Sequence, residues 1–330
     1  MLCTLCLALG TQCSLPKLCS SDIKVQSTKH KVQSAKYSNS LKQDRQRATI
    51  GLALSGGAAR GIAHVGVLLA LAEHKIPIDC IAGTSAGSLV GGSFASGLPL
   101  AEIEVIGRSL RWRDIGRMTM SRLGVQSNER LEEYLRARLP VTRFEELQIP
   151  FAAVATDLNS GEPVVLQKGD VPFAIRASCA IPGWYVPVTH EDGRQLVDGG
   201  LVAMVPSSVA RSMGAEIVLA VDVNAQGATF MGPSRSVISI VLQSMLVVQR
   251  TASRHQLEAA DLVIKPRVGH IRWDEMARAD ELIAAGYEAG VESIPVILAL
   301  LEAAAQARPR WYNLRRRKKI SAKRPLTLPT

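Results

Sequence analysis

The sequence predicts an α/β protein in which a mostly parallel sheet is flanked by helices. The first observation is that short apolar runs alternate with helical patterns, beginning with "TIGLALSGG" at 49–57. A helix is predicted at 62–75, a buried strand at 78–83 and a second helix at 86–97. The second observation is that loops of small residues, "SGG" and "GTSAG", end the first two predicted strands. Strands and helices in strict alternation favour parallel strands covered by helices.

The same alternation continues along the chain. We predict an amphipathic helix at 127–140 with Ser127 or Asn128 as its N-cap, and buried strands at 149–158 and 215–223. The other predicted elements are strands at 161–169, 185–200 (turning at Asp192-Gly193) and 261–266, and helices at 234–260 and 274–307, the last with candidate breaks at Gly286, Gly290 and Pro295. The sequence contains neither a repeat nor a linker between 49 and 307, and we predict one domain there.

The net charge of +10 comes from the two ends of the chain. Residues 1–50 carry +6 and residues 308–330 carry +9, whereas the intervening residues sum to −5. Residues 1–48 are polar and lack apolar periodicity, which predicts a disordered or loosely attached basic leader. Residues 308–330 form a basic tail that includes Trp311 and Tyr312. The tails fit contact with an anionic membrane surface, and we expect no nucleic-acid partner.

Cysteines and apolar runs bear on the compartment. Four of the six cysteines lie in the first nineteen residues, and their spacing fits neither a disulfide framework nor a zinc site. The start "MLCTLCLALG" has no basic residue before its apolar run. We therefore predict a cytoplasmic protein, with peripheral contact to a membrane left open, and do not expect secretion. No metal or cofactor is expected, since the six histidines show no ligand spacing.

The stretch "GTSAG" places Ser85 between Gly83 and Gly87. The G-x-S-x-G pattern is weak by itself, but here it follows a predicted strand and opens a predicted helix, which is the setting of a nucleophile elbow. The helix N-terminus then favours negative charge on the serine oxygen. Ser85 is the predicted nucleophile; the alternative is a small residue in a tight turn.

A second glycine-rich loop, "SGGAARG", connects the first strand to the first helix. It lacks the Gly-Lys-Ser/Thr ending of a phosphate-binding loop. Backbone N–H groups in such a loop also suit the oxyanion of an acyl-transfer intermediate. We predict Gly56, Gly57 and Ala58 as the donors, with Gly61 in support and Arg60 orienting either the loop or a substrate phosphate. For Arg60, a salt bridge or a charge at the helix start is an equal alternative.

The general base is predicted at Asp198. It stands before Gly199 and Gly200 at the end of a predicted strand. A carboxylate is a poor base for a serine hydroxyl, but burial raises its pKa and an oxyanion hole reduces the demand on it. A Ser–Asp dyad is therefore chemically sufficient. A β-turn Asp before glycine is the alternative reading.

Five motifs in order resemble the bacterial patatin-like phospholipases, closest to the small stand-alone members: "SGGAARGIAHVGVL", "GTSAG", "ATDLNSGEPVV", "AIRASCAIPGWYVPV" and "VDGG". The resemblance covers about residues 50–270, with the core motifs in 51–215. It implies a patatin-like three-layer α/β/α fold with a mostly parallel central sheet, a dyad of Ser85 and Asp198, an oxyanion hole at 56–58, and metal-independent hydrolysis of lipid acyl esters. Ala58 departs from the third glycine that many members have.

The sequence predicts a serine lipid acyl hydrolase of the phospholipase or lysophospholipase type, acting through an acyl-enzyme. One alternative is an α/β-hydrolase-type esterase with a Ser–Asp–His triad, whose base would be His255 or His270. Another is a non-catalytic, membrane-associated regulatory protein of the same fold. Cys179 has apolar neighbours that favour an inert buried thiol over a nucleophile.

Overall fold

A computed structural model describes residues 47–225 and 237–307. The predicted leader up to residue 46 and the predicted basic tail lie outside the described residues. So does the predicted start of the long helix at 234–236.

Eleven strands and nine α-helices are found in the described ranges. The strands are β1 (Ile50–Leu54), β2 (Cys80–Thr84), β3 (Arg117–Met118), β4 (Gly124–Ser127), β5 (Phe151–Asp157), β6 (Pro163–Leu166), β7 (Gly183–Tyr185), β8 (Val188–Thr189), β9 (Gln195–Asp198), β10 (Ile217–Val221) and β11 (Leu262–Ile264). The helices are α1 (Ala63–Glu73), α2 (Ala86–Ala95), α3 (Leu100–Ser109), α4 (Trp112–Ile115), α5 (Glu129–Arg136), α6 (Val171–Ser178), α7 (Ser207–Ser212), α8 (Val237–Gln256) and α9 (Ala279–Ala307).

The main sheet has the strand order β11-β10-β1-β2-β5-β9-β8, with β6 paired to β5. The five strands from β11 to β5 are parallel, and β6, β8 and β9 are antiparallel to their neighbours. Every residue of β1, β2, β5 and β10 is buried. Burial on both faces explains why these strands read as continuous apolar runs.

Helices cover both faces of this sheet. Leu52 and Leu54 of β1 belong to one apolar cluster, together with α2 and α6, whereas Ala53 faces a second cluster that contains Val209 and Ala210 of α7. Alternate residues of one strand thus serve two cores. The predicted α/β/α fold with a mostly parallel sheet is confirmed.

Several elements differ from the sequence prediction. The 127–140 helix is shorter (α5), and its N-cap residue Asn128 uses its side chain to donate to the carbonyl of Arg176 rather than to cap the helix. A three-stranded sheet, β3-β4-β7, and the helices α3, α4, α6 and α7 were not predicted. Apart from the ten-residue α3, these elements are too short to show a clear periodicity.

Helix α9 runs unbroken through the three candidate breaks. A Cβ at Gly286 would overlap the carbonyl of Ala63, and one at Gly290 would lie 2.6 Å from the Cβ of Ala70, so the glycines serve close packing against α1. The stretch Met276–Ala307 also has the length and composition of a membrane span. Its glycine face, however, is packed against α1, which is what a core helix of this fold requires.

Candidate active site

Ser85 occupies a tight turn between β2 and α2. Its φ is 53° and its ψ is −122°, a conformation that costs an L residue roughly 1–3 kcal/mol. The Ser85 N–H donates to Ser178 Oγ at 2.8 Å, and that hydroxyl donates to the Val154 carbonyl at 2.6 Å. Two buried hydrogen bonds therefore hold the strained turn against β5. The strand–turn–helix arrangement predicted around Ser85 is found.

Gly83 and Gly87 let this turn lie directly against the sheet. A Cβ at Gly87 would overlap the carbonyl of Leu54 on β1, and one at Gly83 would run into the first turn of α2. Gly61 leaves room for the Cβ of Ala86 in the same way. Any side chain at these positions would displace the turn.

The register of the sheet aligns Ser85 with Asp198. Thr84 of β2 lies opposite Val154 of β5, and the next residue of β5, Ala155, lies opposite Asp198 of β9. Ser85 directly follows Thr84. Strand β6 occupies the other edge of β5, so β2 and β9 follow one another along the same edge, and the serine and the aspartate are neighbours at one level of the sheet.

Asp198 is held in a desolvated environment. It is only 6% exposed, and the Gly200 N–H donates to its Oδ1 at 2.7 Å. Burial raises the pKa of Asp198 to about 6, and hydrogen bonds from the Ser85 side chain and the Gly200 N–H oppose part of that rise. Thr156 Oγ1 fixes the backbone by donating to the Asp198 carbonyl at 2.9 Å. Gly199 lies so close to β5 that a Cβ would overlap its backbone.

The glycine loop presents two amides rather than the predicted three. The Gly56 N–H donates to the Met204 carbonyl at 3.0 Å, whereas no acceptor in the described ranges takes the N–H of Gly57 or Ala58. Ala58 has a φ of 50°, which costs an alanine about 1–2 kcal/mol. The prediction for Gly56 is therefore revised: its amide anchors the loop and leaves the next two amides open.

Residues from the second half of the chain brace this loop. Arg60 donates through Nε to the Ile271 carbonyl at 2.7 Å and through its guanidinium to Asn224 Oδ1 at 3.3 Å. The neighbouring Ala59 N–H donates to the Trp273 carbonyl at 2.8 Å. Of the two readings of Arg60, positioning of the loop is the one these contacts support.

One cavity brings the serine, the aspartate and the loop together. Its lining combines these polar groups with mainly apolar side chains: Gly56, Gly57, Ala58, Arg60, Ser85, Ile181, Pro182, Asp198, Met204, Asn224, Met245, Leu246, Gln249 and Trp273. Ser85 is 7% exposed there. A second, apolar cavity shares Ala58 with this cleft and extends among α1, α2, α3 and α5.

A comparison with protein-family models gives a match to the Patatin family, described as patatin-like phospholipase, over residues 52–211. The matched segment contains Ser85, Asp198 and the glycine loop. Residues 52–211 therefore form a domain of the patatin-like phospholipase family.

Curated relatives of this patatin-like chain include an uncharacterized NTE family protein of Mycobacterium tuberculosis. It is 39% identical over 217 residues, which is 64% of this chain and 59% of that protein. Lysophospholipase NTE1 of Mycosarcoma maydis is 37% identical over 183 residues, 53% of this chain and 10% of that protein. The matched segments of this chain therefore span 59% and 10% of these two relatives, less than two thirds of either.

Among solved structures, VipD from Legionella pneumophila resembles this chain with a TM-score of 0.47 and 14% identity, over 78% of this chain and 67% of that one. The likeness is too distant to bear on the activity.

The other candidates of the patatin-like domain lie apart from the cleft or are inert. His255 and His270 are exposed and pair with Glu258 and Glu281, so neither candidate base of a triad reaches Ser85. Burial raises the pKa of the Cys179 thiol, which disfavours the nucleophilic thiolate. Across the described ranges, no group of three His, Cys, Asp or Glu side chains is placed to hold a metal ion.

Sequence reasoning missed Ser178 and Asn224, whose side chains form hydrogen bonds with the Ser85 N–H and the Gly56 carbonyl. Ser178 stands beside Cys179 in "ASCAIPG", and only its contact with Ser85, 93 residues earlier, reveals its role. Asn224 also donates to the Gly56 carbonyl at 2.7 Å. A small polar residue in a motif otherwise made of apolar residues was the available signal for Ser178.

We expect Ser178→Ala to impair turnover more than substrate binding. The change leaves the Ser85 N–H and the Val154 carbonyl unpaired in the interior, at a cost of about 1–3 kcal/mol in the free energy of unfolding. Misplacement of the nucleophile should lower kcat roughly ten- to hundredfold with a smaller change in KM. Urea unfolding and steady-state kinetics on a soluble ester measure both effects.

Ser96→Ala is the matched control, because Ser96 is buried too but its hydroxyl only donates to the Ser93 carbonyl at the end of α2. Equal kcat values for the two variants would contradict a positioning role for Ser178.

Proposed function

We propose that this protein is a serine lipid acyl hydrolase that works through a Ser–Asp dyad. The observation that carries the proposal is the shared cavity, in which a strained serine, a desolvated aspartate and two unpaired amides face one another. Each of these features costs folding free energy, and a binding module has no need of all three. The family and its named lysophospholipase relative support a lipid ester as substrate.

In the proposed reaction, Ser85 Oγ attacks the carbonyl carbon of the ester while Asp198 takes the hydroxyl proton. The carbonyl oxygen becomes an oxyanion that the Gly57 and Ala58 N–H groups stabilise, aided by the N-terminus of α2. The bond to the leaving alcohol then breaks as Asp198 returns the proton to that oxygen. Water, deprotonated by Asp198, hydrolyses the acyl-enzyme and regenerates the Ser85 hydroxyl.

Asp198 suits the role of base because of its surroundings. An ordinary aspartate with a pKa near 3.8 holds a proton too weakly, whereas the buried carboxylate has a pKa of about 6. General catalysis is most effective when this pKa approaches the working pH. Desolvation therefore raises the basicity of Asp198, so that it can act as the base that a histidine provides in a triad.

The acyl chain of the substrate fits the second cavity. That cavity meets the cleft at Ala58, beside the proposed oxyanion, and its walls are apolar: Ile62, Val65, Leu89, Val90, Leu98, Ile103, Ile106, Leu110, Leu135, Leu139 and Met276. An alkyl chain entering there exchanges water for apolar contact, at about 0.8 kcal/mol per buried CH₂. We propose that this space selects long acyl groups.

An active-site serine probe tests the nucleophile. A fluorophosphonate should label the wild-type protein, Ser85→Ala should lose the label, and Asp198→Asn should be labelled far more slowly, since no base remains. Cys179→Ala serves as the control for thiol labelling and should keep the label. Full labelling of Ser85→Ala would contradict the assignment of Ser85 as the nucleophile.

The pH dependence of kcat/KM tests the base. Asp198 acts in its deprotonated form, so activity should fall about tenfold per pH unit below a pKa near 6 and level off above it. Initial rates on a soluble ester between pH 4.5 and 8 measure this limb. In Asp198→Asn, the residual kcat/KM should no longer fall at acid pH. Retention of the same acid limb in that variant would assign it to another group.

Gly107→Leu tests the acyl cavity. A Cβ at Gly107 on α3 would make ordinary contacts, 3.5 Å from Ile62 Cγ2 and 3.8 Å from Val65 Cγ2, so the larger side chain extends into the cavity without a backbone clash. Replacing a helical glycine also stabilises the helix, by about 0.5–1 kcal/mol. We expect kcat/KM for C12–C16 esters to fall at least tenfold and that for C4 esters to stay within twofold.

Val105→Leu is the control for this variant, because Val105 lies on the same helix but is exposed. Its chain-length profile should match that of the wild type. Equal losses for short and long esters in Gly107→Leu would refute the acyl assignment.

A further inference from the structure

Helix α8 has one side in the active-site cleft. Met245, Leu246 and Gln249 line the cavity that contains Ser85 and Asp198. The last residue of the helix, Gln256, donates to the Val202 carbonyl at 2.8 Å and accepts from the Val205 N–H at 2.9 Å. The helix is thus tied to the segment that directly follows Asp198.

The opposite side of α8 is apolar and exposed. It consists of the exposed side chains that recur at helical spacing: Ile240, Val241, Ser244, Val247, Val248 and Thr251, which we call the outer face. Ser244 and Thr251 donate their hydroxyls back to the carbonyls of Ile240 and Val247 within the helix. The two hydroxyl protons are therefore used inside the helix, which makes the whole stripe apolar.

The charge of α8 has one sign. The sequence of residues 237–256 contains no Asp or Glu. Arg250 and Arg254 are exposed beside the outer face, and no carboxylate in the described ranges forms an ion pair with either. An exposed apolar stripe flanked by unneutralised arginines is the pattern of a helix that lies in a lipid interface.

A second exposed segment of the described chain has this composition. The turn between β3 and β4 exposes Met118, Met120 and Leu123 next to Arg117 and Arg122, again with no acidic residue. Its strand β4 pairs with β7, which directly follows the cleft residues 181–182. Two separate segments thus present exposed apolar and basic side chains together.

We propose that the outer face of α8 docks the enzyme on an anionic lipid surface. This proposal rests on the proposed function, since the cleft behind the helix then takes an ester from that surface. The arginines complement the phosphate of anionic headgroups, and the apolar stripe enters the acyl boundary. A contact between two copies would instead oppose the arginines of one copy to those of the other.

Vesicle sedimentation of the full-length protein tests the docking. Vesicles of phosphatidylcholine and phosphatidylglycerol (3:1) are used at high salt, where the charge of the basic tails is screened. We expect Val247→Glu/Val248→Glu to lower the partition coefficient at least tenfold. Val247→Ser/Val248→Ser, which adds no charge, should lower it at least threefold. Circular dichroism verifies that the variants are folded.

Val105→Glu is the matched control, because Val105 on α3 is 63% exposed and Val248 is 64% exposed. It should bind vesicles like the wild type. All these variants should hydrolyse a soluble C4 ester within twofold of the wild-type rate. At low salt, Arg250→Gln/Arg254→Gln should reduce the preference for anionic over neutral vesicles at least fivefold.

Docking is overturned if the two α8 apolar variants bind vesicles as well as Val105→Glu does. A change of oligomeric state in these variants, measured by light scattering and without loss of vesicle binding, would identify the outer face as a contact between copies. Failure of the proposed function is distinguishable, since sedimentation needs no turnover. If the wild-type protein hydrolyses no ester but substitutions in α8 abolish vesicle binding, the docking proposal stands and the hydrolase proposal fails.

Discussion

The strained backbone at Ser85 is the constraint around which the site is built. A φ of 53° at a serine persists only where the surroundings over-determine it. Three surroundings do so: glycines that allow β1 and α2 to approach, the Ser178 hydroxyl that joins the turn to β5, and the helix that starts immediately afterwards. The strain points the side chain into the cleft, at the level of the sheet that also holds Asp198.

The position of Asp198 follows from the same sheet and adds an electrostatic element. Because β9 runs antiparallel to β5, its final residue, Asp198, lies opposite Ala155 and lines the cleft. Burial in that place favours the neutral acid, whereas the Ser85 hydroxyl and the Gly200 amide stabilise the anion. The balance between these two effects sets a pKa between that of a free carboxylate and that of an imidazole, which gives the site its chemical character.

The sequence predicted what is encoded in contiguous stretches. The alternation of strands and helices, the turn at Ser85, the glycine loop and Asp198 each have a local pattern, and the fold follows from the first of these. It did not predict contacts between distant stretches. The Gly56 amide differs from its neighbours only because Met204 is near it. Gly286 was predicted as a break because its contact with Ala63 of α1 leaves no local pattern. The sequence of α8 predicted a helix but not which of its faces is exposed.

The residues that hold the glycine loop show that the structural unit around the site extends beyond the segment matched by the family model. The match ends at residue 211, yet the loop is held by Asn224, Ile271 and Trp273. A chain trimmed to the matched segment would keep Ser85 and Asp198 and lose the groups that hold the glycine loop in place. The unit that holds the glycine loop therefore extends beyond the matched segment, at least to Trp273.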